Sequence, residues 1–200
     1  MKNIADSPPT EPAEELADNL FSYTESTSIS STFKGTIIDI ETIGTFNRRS
    51  SDSRQYKNII PVIFGYITHN KLSILYSENK TSIPHLQKEI KNIISSLERP
   101  LYAFNSSFEM GSLYHNLRQR VIFEGELNKE KYEAKRSAVQ LLDIPQYDDP
   151  FCDNGFLCMQ AWEIGKIKEA VAHNRSCLLK ERDILLKRGF RKPDPLVFCD

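Results

Sequence analysis

The sequence predicts an α/β fold built on a mixed five-stranded sheet flanked by helices. Three observations carry that expectation. Residues 35–40 form a β-branched run that is apolar on both faces and too short for a helix, the pattern of a strand inside a sheet. Residues 60–68 and 72–76 are two further strand patterns separated by His69, Asn70 and Lys71, a turn short enough to make them an antiparallel hairpin. Beyond the hairpin, helical and strand patterns alternate, which layers helices on a sheet.

Taken in order, residues 1–32 read as a disordered acidic tail rich in Ser, Thr and Pro, because they hold few large apolar groups to offset the entropy of ordering. A short helical pattern covers 14–21 within it. The domain proper spans 33–192, and 193–200 form a C-terminal tail. The first strand ends near Glu41, and 42–58, with Gly44 and a Ser/Asp/Asn cluster, read as a long loop. Residues 84–97 place Leu86, Ile90, Ile93, Ile94 and Leu97 on one helical face, and Pro100 stops that helix. A fourth strand follows at 101–104 and a helix at 107–117, while 121–136 are charged and irregular. Residues 139–144 read as a fifth strand. A loop through Tyr147, Asp148, Asp149, Pro150 and Gly155 then leads to a long helix over about 166–187.

Composition excludes several classes. With 40% hydrophobic and 26% charged residues the chain can bury a core, so it is neither fibrous nor wholly disordered. Its longest apolar run, 59–67, is far short of the roughly 18 residues of a membrane span. The acidic, Pro-rich start lacks the basic and apolar segments of a secretory signal, so an intracellular, cytoplasmic protein with no membrane partner is expected. Residues 1–32 hold one Lys and six acids, a net −5 within a total of −1, which leaves the rest mildly basic at +4. Such a balance is compatible with nucleic acid. The four cysteines, at 152, 158, 177 and 199, show no C-x-x-C pair and are expected to be reduced.

Asp39 and Glu41 are the sharpest chemical feature. Alternation places both carboxylates on one side of the strand end, close enough to share a divalent cation. An exposed strand end is the plain alternative for so short a motif. Residues 102–109 then set Asn105 at the end of strand four and Glu109 in the first turn of the next helix, where an acid also interacts favourably with the helix dipole. With Asp-x-Glu after strand one and this Asn-x-x-Phe-acid element, the sequence resembles the DEDD family of 3'-to-5' exonucleases, of the ribonuclease H-like superfamily. Glu109 stands where that family most often has Asp.

The resemblance covers roughly 35–187 and implies a ribonuclease H-like sheet, two Mg²⁺ or Mn²⁺ ions, and hydrolysis of phosphodiester bonds at the 3' end of single-stranded DNA or RNA. Asp39, Glu41 and Glu109 would be catalytic metal ligands. Thr42, Gly44 and Asn105 would contact the terminal nucleotide, and His173 would be the general base for the attacking water. The third motif departs from the family: Cys177 or Leu178 falls where an Asp completes the metal shell. Glu181, one helical turn beyond Cys177 on the same face, is the carboxylate available to replace it. Asp143, before Ile144 and Pro145, reads as a turn residue or a cleft residue.

The basic residues of the last helix and tail, Lys166, Lys168, Arg175, Lys180, Arg182, Lys187, Arg188, Arg191 and Lys192, suit a phosphate-tracking flank or a solvated face. Two rival readings stay open. Cys152, Cys158, His173 and Cys177 could form a structural zinc site, and the altered third motif fits a catalytically impaired module that binds nucleic acid or a protein. No Ser or Cys lies in a recognisable nucleophile elbow.

Overall fold

The computed structural model describes residues 22–200. The helical pattern over 14–21 and most of the acidic tail lie outside the described residues. What is described is an α/β fold with six strands in one mixed sheet: β1 (Ser22–Ser28), β2 (Thr36–Gly44), β3 (Ile59–Ile67), β4 (Lys71–Ser77), β5 (Leu101–Ala103) and β6 (Gly125–Glu126). Their order is β1-β4-β3-β2-β5-β6. β1 to β4, β4 to β3 and β3 to β2 are antiparallel, whereas β2 to β5 and β5 to β6 are parallel.

Helices α1 (Ile83–Ile94) and α2 (Ser106–Leu117) cover one face, and α3 (Lys135–Leu141), α4 (Gly155–Glu163) and α5 (Ile167–Arg188) the other. β2 shows how one strand serves both layers. Ile38 and Ile40 join the core under α1 and α2, while Ile37 and Ile43 join the core under α4 and α5. Period-two alternation therefore directs Asp39 and Glu41 toward the α5 side, between apolar neighbours. A bulge gives β3 an extra residue where Glu41 faces Ile63 and Thr42 faces Pro61. That break in the ladder accommodates a proline, which has no N–H to donate, in an interior strand.

Five expectations are corrected. Residues 22–28, expected in the tail, form edge strand β1, registered on β4 from Ser22 opposite Ser77 to Ser28 opposite Lys71. A polar edge strand is stabilised by backbone pairing more than by burial, so its sequence lacks an apolar signature. The stretch expected as a fifth strand, 139–144, instead holds the end of α3 and its C-terminal turn. Ala138 and Val139 are buried while Leu141 is 72% exposed, a one-sided helical burial that a short apolar run does not distinguish from a strand. The sheet is completed by β6, within the span read as irregular, and α4 fills part of the span read as loop.

Finally, residues 193–200 are not a free tail. Ser53 N–H donates to Val197 O at 2.9 Å, Cys199 N–H donates to Ser53 Oγ at 2.9 Å, and Phe198 packs edge-on against Tyr114. Among the described residues, no helix is long and apolar enough to cross a membrane.

Candidate metal centre

β2 delivers Asp39 and Glu41, the first turn of α2 delivers Glu109, and α5 delivers His173, Asn174, Cys177 and Glu181. All seven are buried. Asp39, Glu41, Asn105, Glu109, His173 and Cys177 line one small cavity of about 170 Å³, together with Lys135 and Asp153. Several of the residues expected from sequence to form a site thus meet, although Glu109 is 68 positions from Glu41 and His173 a further 64. Thr42 and Gly44 line an adjoining cavity of about 670 Å³, whose wall includes Phe46, Arg48, Phe108 and Phe156.

Lys135, at the start of α3, is the main addition the structure makes. Its Nζ lies 2.9 Å from Asp39 Oδ1 and 2.5 Å from Glu181 Oε1, over the ring of Phe104. Its approach to Glu181 is an ion pair without hydrogen-bond alignment, so neither Glu181 oxygen has a hydrogen-bond donor. Glu181 therefore reaches the site, as a partner of Lys135. Asn174 Nδ2 donates to Asp39 Oδ2 at 2.8 Å and to the Asp39 carbonyl at 3.2 Å. Gly65 makes room for it, since a Cβ there would stand 2.0 Å from Asn174 Oδ1.

Crowding of acids governs the electrostatics. Burial, with Asp39 beside it, carries the Glu41 carboxyl up to about 7 against the opposing pull of His173 and Lys135. Burial and the charges of Asp39 and Glu181 raise Glu109 well above the carboxylate range, and its Oε2 has no hydrogen-bond partner. Lys135 is itself held strongly protonated: burial works against it, but Asp39, Cys177 and Glu181 outweigh that cost.

His173 Nδ1 is 2.6 Å from Asp149 Oδ1, and its Nε2 is 3.7 Å from both Glu41 Oε1 and Cys177 Sγ. Burial would lower its pKa, yet Cys177, Glu41 and the Asp149 hydrogen bond carry it up to about 11. In this state the imidazole keeps its proton at neutral pH. Asp149 is anchored by Lys180 Nζ at 2.6 Å and by the backbone N–H groups of Phe151 and Asp153, each at 2.9 Å. Among the described residues, the close ligand-type groupings are Asp39–Glu41–Cys177, Glu41–Cys158–His173 and Asp149–His173–Cys177, each with its atoms within 4.8 Å of one another.

Sequence reading missed Lys135, Asn174, Asp149 and Lys180 as parts of the site. Asn174 carried a signal, being adjacent to His173; Lys135 lay in a span with no pattern of its own. Asp143 has a φ of 48° and directs its carbonyl to Lys187, which is the turn role. Much of the basic flank is consumed internally: Arg175 pairs with Glu25, Lys180 with Asp149 and Asp153, Arg182 with Asp183, Arg188 with Glu133, and Arg191 with Glu126 and Asp194. Comparison with protein-family models, curated proteins and solved structures finds no match.

Proposed function

We propose that the protein is a metal-dependent hydrolase of phosphodiester bonds, acting at the 3' end of a nucleic-acid strand on a ribonuclease H-like scaffold. The observation that carries this reading is the convergence of Asp39, Glu41 and Glu109, whose Oε2 has no hydrogen-bond partner, on one small cavity at the end of the central strand. An antiparallel β4-β3-β2 half continued by parallel β5 and β6 supports the scaffold. The oxygen donors of Asp39, Glu41 and Glu109 fit a hard divalent ion, Mg²⁺ or Mn²⁺. Lys135 takes the space between Asp39 and Glu181, which favours one such ion where the family resemblance implies two.

When bound, the ion supplies polarisation of the phosphate and a more acidic water. The chain's own groups do the rest. Asn174 and Lys135 fix the Asp39 carboxylate from two sides, leaving its orientation predetermined. His173, oriented by Asp149, is the group able to hold and move a proton at Nε2. In the larger cavity, Phe46, Phe108 and Phe156 offer aromatic faces for a terminal base, beside Thr42 and Gly44, and Arg48 offers a phosphate contact.

The test is release of nucleotides from a 3'-labelled single strand of DNA or RNA in Mg²⁺, in Mn²⁺ and in EDTA. Metal-dependent product lost in Asp39→Asn is expected. Product formed equally fast by that variant would overturn the site. One observation favours a second reading: Lys135 already offsets Asp39 and Glu181 without any ion, as suits a module that binds nucleic acid or a protein and has lost catalysis. Strand binding without hydrolysis in either metal would select it.

A further inference from the structure

Beside the carboxylates stands a donor set of a different chemistry. Cys158 on α4 and His173 and Cys177 on α5 are each no more than 2% exposed, and all three face Glu41 or a shared neighbour. Glu41, Cys158 and His173 hold their ligand atoms within 4.8 Å of one another, and Cys177 Sγ is 3.7 Å from the same His173 Nε2 that lies 3.7 Å from Glu41 Oε1. Zinc bonds of about 2.0–2.1 Å to nitrogen or oxygen and about 2.3 Å to sulfur, at tetrahedral angles, set donor atoms roughly 3.4–3.8 Å apart. The two 3.7 Å separations at His173 Nε2 match those edges, and Cys158 Sγ lies within 4.8 Å of Glu41 and His173.

Two further observations point to a ligand there. The far nitrogen of His173 is fixed by Asp149, which Lys180 and two backbone N–H groups hold in turn, the outer support that orients a metal-binding imidazole. Glu109 Oε2, on a residue only 3% exposed, has no hydrogen-bond partner and lines the same cavity as His173 and Cys177. Cys152, the remaining cysteine of the zinc site considered from sequence, is exposed and belongs to none of these groupings.

We propose that Glu41, Cys158, His173 and Cys177 form a binding site for a borderline-soft divalent ion of the zinc class. Sulfur and imidazole donors favour such an ion over Mg²⁺, whose preference is for oxygen. Each thiol and the protonated Nε2 of His173 give up a proton to solvent as the ion enters. The site shares Glu41 with the carboxylate centre but does not depend on nucleic acid being the substrate.

The test uses the full chain, reduced and stripped of metal by a chelator, titrated with Co²⁺ as the probe. One equivalent should develop a thiolate-to-cobalt charge-transfer band with the intense visible bands of four-coordinate cobalt, and Zn²⁺ should abolish both. Cys158→Ser and Cys177→Ser should each lose most of the charge-transfer band while Cys152→Ser keeps it, with circular dichroism confirming the fold of each variant. Should a variant not fold, the parent decides: Zn²⁺ should bind at least about 100-fold more tightly than Mg²⁺ and raise Tm where equal Mg²⁺ does not. No charge-transfer band in the parent, or a band undiminished in folded Cys158→Ser and Cys177→Ser, would overturn the site. Hydrolysis in Mn²⁺ without the cobalt band would remove this site and leave the nuclease reading standing. The band without hydrolysis in any metal would do the reverse.

Discussion

Lys135 Nζ lies 2.9 Å from Asp39 Oδ1, joining the first residue of α3 to the middle of β2 across 96 positions of chain. The contact puts a permanent positive charge where acids from β2 and α5 would otherwise repel. On the proposed metal-binding reading, an incoming cation and the lysine would serve the same carboxylates, which links stability to metal binding.

Lys135→Met should therefore destabilise the metal-free protein. Removing one partner of a buried ion pair leaves uncompensated charge and costs about 3–5 kcal/mol. For a chain of this size that corresponds to roughly 6–20 °C in Tm. A divalent ion should recover more of the loss in the variant than it adds to the parent, measured by thermal unfolding with and without Mn²⁺. Equal metal-induced shifts in both proteins would refute the shared-carboxylate account.

Gly65→Ala tests the seat of Asn174. The new methyl would stand 2.0 Å from Asn174 Oδ1 and 2.7 Å from Leu178 Cδ1, in a region where Asn174 and Leu178 are fully buried. Overpacking of this kind costs about 1–3 kcal/mol. Since Asn174 orients Asp39, the variant should lose hydrolysis, or metal affinity, beyond what its stability loss explains. A stable Gly65→Ala protein with parental metal affinity would show that Asn174 does not position Asp39.

Stability in acid should depend on Glu133. Its carboxylate accepts from Arg188 at 2.6 Å and 2.8 Å and from the Lys129 N–H at 2.5 Å. Burial alone would raise its pKa, but these donors hold it below the ordinary carboxylate value. The folded state thus releases this proton more readily than the unfolded chain. The associated stability is complete above the unfolded pKa of about 4.3 and is lost as pH falls through the depressed folded value. Glu133→Gln should be less stable at neutral pH and converge on the parent in acid, as urea unfolding over that range would show. A constant gap at every pH would contradict the assignment.

Trp162→Phe addresses the support of α4, the helix that carries Cys158. Trp162 Nε1 donates to the Ser77 carbonyl at 2.7 Å, tying α4 to β4 from a fully packed position. Losing the donor leaves a buried carbonyl unpaired and should cost about 1–3 kcal/mol in chemical denaturation. A change within about 0.5 kcal/mol would mean that water or another donor replaces the indole.

Local patterning determined much of this protein before any contact was known. The apolar run ending in Asp39 and Glu41, the hairpin, the helix opening near Asn105 and Glu109, and the helix of His173 all rest on periodicity within a window of one element. Those windows fixed which acids would share a strand face. Tertiary structure decided the rest. β1 is polar, and only the unpaired edge of β4 makes it a strand. The short apolar run at 139–144 became the end of a helix and a turn because Ala138 and Val139 needed one-sided burial under α5. Lys135, Asp149 and Cys158 acquired their partners through packing of α3, the 142–154 loop and α4 onto α5, over separations no local pattern encodes. A periodic pattern records which face of an element is buried; which charge or sulfur stands opposite is set by the element packed against that face.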